Sequence, residues 1–131
     1  MTHRHPVRVY YEDVDLAGIV YYANYLRFYE RGRSEALRAA GVDQTALKGE
    51  GLVFVVVRIE VDYLSPARFD DLLTVETETD ALKAATVEMT QRVLRAADGA
   101  LLNRARVRVA CMDLAGRPQR LPAPVRAALS P

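Results

Sequence analysis

The 131 residues predict an α+β fold in which a curved antiparallel sheet wraps one long helix. Two observations carry this. Apolar residues recur at helical spacing between Asn24 and Gly41, and from Leu52 almost to the end of the chain they alternate with period two. A short β-rich run, Val7 to Tyr11, stands before the helix and makes a fifth strand.

The elements follow in order. Asp13 to Gly18, with two aspartates and a glycine, reads as a turn. Asn24 is the expected N-cap, because its short polar side chain can accept the first free amides of the helix that follows. Tyr25, Phe28, Tyr29, Gly32, Ala36, Ala39 and Ala40 then form an apolar or small-residue stripe, with Arg27, Glu30, Arg31 and Arg38 around the rest of the wheel. Gly41 fits the C′ position that ends it, giving a rod of about 25 Å. Gly32 in mid-helix costs roughly 1 kcal/mol relative to Ala, which is tolerable where a helix backbone must approach a sheet closely.

Beyond a loop, Val42 to Gly51, the first long strand should place Val53, Val55, Val57, Ile59, Val61 and Tyr63 on one face, until Ser65-Pro66 ends it. Its start is apolar on both faces, which points to burial on both sides of Phe54 to Val57 and to a subunit interface. Leu73, Val75, Thr77 and Thr79 mark the next strand, and Ala85, Val87, Met89, Gln91 and Val93 the one after. The hairpin-type turn Asp98-Gly99 leads to the last, where Ala105, Val107, Val109 and Cys111 alternate with Arg104, Arg106 and Arg108. Consecutive strands are expected to be antiparallel neighbours. The proline-containing tail reads as a loop and a short helix, Val125 to Leu129.

Composition narrows the function classes. Half the residues are apolar, enough for a single domain over 1–131, and 18 basic against 17 acidic residues call for neither nucleic acid nor an anionic membrane. Cys111, the single cysteine, excludes an intramolecular disulfide. No apolar h-region opens the chain and no run approaches the ~18 to 20 apolar residues of a membrane span, so a soluble cytoplasmic protein is expected. His3 and His5, in a terminus expected to be mobile, make a poor metal site. No metal or cofactor is expected.

The pattern D-x-x-G-[IV]-V-Y-x-x-N-Y-x-x-[FW] is met by Asp15, Gly18, Ile19, Val20, Tyr21, Asn24, Tyr25 and Phe28. With the later segment Asp62 to Leu73, DYLSPARFDDLL, it resembles the hotdog-fold thioesterases of the 4-hydroxybenzoyl-CoA thioesterase and YbgC-like type, over nearly the whole chain. The resemblance implies a hotdog fold, a homo-oligomer (a dimer or a homotetramer) with sites between subunits, and hydrolysis of acyl-CoA. By position, Asp15 would be the catalytic carboxylate and the backbone N–H of Tyr22 the oxyanion donor. Gly18, Ile19, Val20, Asn24 and Tyr25 would lie along the substrate, with Arg58 and Arg68 as candidates for the CoA phosphates. Many YbgC-like members carry histidine where this chain has Tyr22, so a histidine side-chain role does not transfer.

The residues support that chemistry in their own right. A thioester carbonyl is electrophilic and its thiolate leaves readily, so a positioned carboxylate with an oxyanion site can suffice without a Ser-His-Asp triad. A well-aimed N–H donor is worth about 10² to 10³ in rate. The plain alternative for Asp15 is a turn or capping aspartate, and for Asp13 and Glu12 a solvated or turn-bonded role. Gly18 serves either a positive-φ turn or a close approach of substrate. Tyr25 and Tyr29 fit a helix core, while Tyr22 has the better claim to a pocket. Cys111 reads as a buried structural thiol, and the Arg104, Arg106, Arg108 stripe as a solvated strand face. A hotdog dehydratase would need a histidine in the body of the chain. A non-catalytic module that binds acyl-CoA or acyl-carrier thioesters is the alternative from another class.

Overall fold

The computed structural model describes Met1 to Pro131. Five strands form one antiparallel sheet: β1 (His3–Arg8), β2 (Leu52–Tyr63), β3 (Leu72–Leu82), β4 (Thr86–Arg95) and β5 (Leu101–Asp113), in the order β1-β3-β4-β5-β2. Helix α1 (Tyr25–Ala39) lies on its inner face, and two short helices, α2 (Gln44–Gly49) and α3 (Ala123–Ala128), follow α1 and close the chain. No helix is long and apolar enough to cross a membrane.

α1 ends as its sequence requires. Gly41, at φ +85°, lets its N–H reach the Arg38 carbonyl at 3.1 Å and the Val42 N–H reach Leu37 at 2.9 Å, while Val42 and Leu37 are both buried. Gly32 sets the helix-to-sheet distance. A Cβ there would stand 2.6 Å from Val75 Cγ1 on β3 and 3.2 Å from Gln91 Nε2 on β4, so only glycine lets the helix settle this closely. Phe28, Tyr29, Leu73, Val75, Val93, Leu102 and Val107 fill the space between helix and sheet.

The structure departs from the sequence-based expectations at six places. β1 starts at His3 and ends at Arg8, since its partners on β3 are Thr77 back to Leu72; both histidines therefore sit in a paired strand, outside any mobile end. The segment expected as a loop, 42–51, contains α2, capped by Asp43, whose Oδ1 accepts the Ala46 amide at 3.1 Å. The closing helix begins at Ala123, two residues early, with proline in its first turn. β2 pairs with β5 and not with β3, so Leu64–Asp71 is a crossover between opposite sides of the sheet. Asn24 is not a side-chain cap (below).

The sixth departure concerns which face of β2 is inside. A β-bulge between Val56 and Arg58 inserts one residue, and the alternation changes phase there. Leu52 and Phe54 before it and Ile59 and Val61 after it therefore share the inner face, while Val53 and Val55 point outward with Arg58, Glu60 and Asp62. Outward, Arg104 and Arg108 of the basic stripe pair with Asp62 at 3.4 Å and Glu88 at 2.6 Å. β2 is also a sheet edge, which leaves Val55, Val56 and Val57 exposed in the isolated chain.

Candidate active site

Asp13 organises the segment that leads from β1 to α1. Its carboxylate is buried and accepts the Tyr10 amide on Oδ2 and the Asn24 side-chain amide on Oδ1, both at 2.8 Å. Its backbone carbonyl accepts the Tyr21 N–H at 3.0 Å. Asn24 is thus committed to Asp13 and makes no cap bond; its own backbone is helical, within a 3₁₀ turn, Tyr22–Asn24, that runs into α1.

Between these anchors the chain folds back on itself. Val14 and Val20 form an antiparallel bridge, the Asp15 N–H donates to Ile19 O at 2.9 Å, and the Gly18 N–H donates to Asp15 O at 3.0 Å. Gly18 holds φ +78°, and a Cβ added there would meet no atom within 4 Å, so the turn's backbone, and no close packing, calls for glycine. Asp15 stands exposed at this tip. One oxygen, Oδ1, accepts the Ala17 amide at 2.9 Å, and Oδ2 takes no hydrogen bond within the chain.

At the other end of the hairpin, the Asn24 N–H donates to Tyr21 O at 2.8 Å, but no turn carbonyl takes the amides of Tyr22 and Ala23. Two free donors therefore open the helical segment, where the aligned peptide dipoles favour negative charge. Free backbone amides at a helix start are the type of donor from which oxyanion sites are built.

The crossover after β2 fastens the hairpin from below. Ile19 bridges Arg68, the Val20 N–H donates to Ala67 O at 2.9 Å, and the Ala67 N–H donates to the Tyr25 hydroxyl at 3.1 Å. Val20 and Tyr25 are buried in consequence, Ile19 is half-buried, and Gly18 and Arg68 are exposed beside Asp15's loop. Arg58 is elsewhere: it sits past the bulge, ion-paired with Glu60, five residues and about 17 Å along β2 from Tyr63.

Two features had no sequence signal strong enough to select them. Tyr63, the last residue of β2, donates its hydroxyl to Tyr22 O at 2.9 Å and packs edge-on to the Tyr22 ring with centroids 6.1 Å apart. Arg33 is buried, donates to Gln91 Oε1 at 2.9 Å, and lines a cleft of about 310 Å³ between α1 and β2 with Glu30, Leu37, Phe54, Val56 and Met89. Burial lowers its pKa, partly opposed by Glu30. That cleft contains none of residues 15–25. Cys111 is buried on β5, which raises its thiol pKa and leaves it a poor nucleophile. No group of three or more metal-ligating side chains occurs.

A helix cradled in a five-stranded antiparallel sheet, with a carboxylate-bearing hairpin leading into the helix, defines a hotdog-fold protein of the thioesterase type. The chain belongs to the thioesterase-like superfamily, whose sequence profile matches residues 9–129. It is 47% identical over 120 residues to the acyl-CoA thioester hydrolase YbgC of Escherichia coli O6:H1, covering 91% of this chain and 89% of that one. It is also 47% identical over 125 residues to the acyl-CoA thioesterase YbgC of Haemophilus influenzae, with 94% and 90% covered. The crystal structure of a probable thioesterase from Bartonella henselae superposes with a TM-score of 0.88 at 41% identity, over 93% of this chain and all of that one.

Proposed function

We propose that the chain hydrolyses acyl-CoA thioesters, with Asp15 as nucleophile or general base and the Tyr22 amide as oxyanion donor. The observation that carries this is that one short clamped segment holds both a carboxylate with an uncommitted oxygen, at the hairpin tip, and two unbonded amides, where it enters α1. The YbgC relatives, matched over about nine-tenths of their length, supply the substrate class.

In the nucleophilic route the Asp15 carboxylate attacks the thioester carbon while the amide holds the developing oxyanion. The C–S bond breaks, CoA leaves as thiolate, and water cleaves the acyl-aspartyl anhydride to release the acid and restore Asp15. In the general-base route Asp15 takes a proton from the attacking water and no anhydride forms. Gly18, Ile19 and Asn24 border the hairpin and the helix entry where the acyl thioester would lie, with Val20 and Tyr25 supporting them from the core. Arg68 is the better placed arginine for the CoA phosphates, and Arg58 would serve only a nucleotide extended along β2.

The site is open in a lone chain. Tyr10, Tyr11, Leu16, Tyr21, Tyr22 and Phe69 are all exposed around it, and the β2 edge presents three valines. A second copy paired on β2 would cover that edge and complete the site, in a homodimer or a larger homo-oligomer. A coupled thiol-release assay over aromatic, short-chain and medium-chain acyl-CoAs tests the activity. Turnover of at least one class is expected; binding without release across the panel would replace hydrolysis with a non-catalytic binding module.

A further inference from the structure

We propose that Tyr63 is a positioning residue of the reaction, holding through its hydroxyl the Tyr22–Ala23 peptide group, which adjoins the peptide that carries the Tyr22 oxyanion donor. The inference rests on the hydrolase reading above. Tyr63 closes β2, where its backbone pairs with Asn103 of β5, and the Asn103 side chain in turn accepts the buried Tyr29 hydroxyl of α1. The base of the Tyr63 side chain is therefore fixed by both sheet and helix. Its ring packs between Tyr22 and Tyr25, with centroids 6.1 and 5.8 Å away, and its hydroxyl donates to Tyr22 O at 2.9 Å.

That carbonyl belongs to the peptide whose N–H is Ala23's, and its neighbour on the other side carries the Tyr22 N–H. A donor on the oxygen does two things. It fixes the rotation of the peptide plane, and so the direction of the free amides, and it polarises the peptide so that the Ala23 N–H becomes a stronger donor. No other side chain hydrogen-bonds to the 3₁₀ turn except through Asn24, at its far end. Burial, with a smaller effect of Tyr22, raises the Tyr63 pKa, so the phenol stays protonated and able to donate at neutral pH.

Tyr63→Phe removes the hydroxyl and keeps the ring. The expected result is a roughly tenfold fall in kcat with KM within twofold of wild type and an unchanged oligomeric state. Asp15→Asn is run beside it. If Asp15→Asn is inactive while Tyr63→Phe keeps wild-type kcat, or changes KM alone, the positioning role is overturned and the hydrolase reading stands. If Asp15→Asn keeps full activity, the catalytic reading falls and Tyr63 falls with it. Should Tyr63→Phe fold poorly, 3-fluorotyrosine at position 63 decides: the more acidic phenol should move the alkaline limb of kcat to lower pH, and an unmoved limb overturns the proposal.

Discussion

Asp13 accepts the side-chain amide of Asn24 across eleven residues at 2.8 Å, so a buried carboxylate fastens the start of the helix to the end of the first strand. Asp15, the proposed catalytic carboxylate, lies between them, is carried by this clamp and takes no part in it. Replacing Asn24 by Ala leaves a buried carboxylate oxygen without its donor. The expected cost is about 1–3 kcal/mol of stability, read from urea unfolding, together with a fall in kcat as the hairpin loosens. Unchanged stability and kcat would show that the clamp is dispensable.

Gly32→Ala should destabilise the protein although Ala is the better helix former by about 1 kcal/mol. The added methyl meets Val75 Cγ1, a branched and buried group that cannot swing away, and overpacking of this kind costs about 1–3 kcal/mol. A thermal melt checks the sign. Shortening Val75 to Ala in the same chain should recover part of the loss.

Alkaline pH should weaken the fold in a defined window. Burial raises the pKa of Tyr25, Tyr29 and Tyr63 above the ordinary tyrosine value of 10.0, most strongly for Tyr29. The folded state then holds these protons after the unfolded chain has begun to lose them. Their contribution is full below about pH 10 and is lost progressively as pH rises beyond it. Urea midpoints measured from pH 8 to 12 should fall above pH 10, less steeply in Tyr29→Phe. A flat profile through that range would contradict the burial of these phenols.

Val55→Lys tests the uncovered edge. Val55 points outward from β2 beside two other exposed valines, and a charge there blocks pairing of edge to edge. Light scattering should show an oligomer for the wild type and a monomer for the variant, with thioester turnover reduced in step. A variant of unchanged mass would move the interface elsewhere.

Much of this was legible in the residues because it depends on local rules. The first half of the α1 stripe (Tyr25, Phe28, Tyr29 and Gly32), the Gly41 stop and the approach of Gly32 to the sheet follow from helical period and glycine's missing Cβ, whereas farther along the helix Arg33 and Leu37 are buried and the expected Ala39 and Ala40 are exposed. What was not legible depends on tertiary choice. A bulge at Val56–Arg58 reverses the face of half a strand, and a strand that alternates well gives no sign of where an extra residue will enter. Asn24 looks like a cap in any helix-start pattern, yet the buried Asp13 offers it a stronger partner. β2 choosing β5 over β3 is a property of the crossover, and with it comes the placement of Tyr63 against Tyr22, which no spacing rule predicts. The candidate site was legible mainly through its motif, since Asp15, Gly18 and the helix entry are contiguous in the chain.

The most direct test of the central claim is kcat of purified Asp15→Asn on the best acyl-CoA substrate, with folding and oligomeric state confirmed. The amide keeps the size of the side chain and can still accept the Ala17 amide, but it can neither attack a thioester nor take a proton from water. A loss of about 10² or more in kcat is expected. Turnover at the wild-type rate would contradict the account.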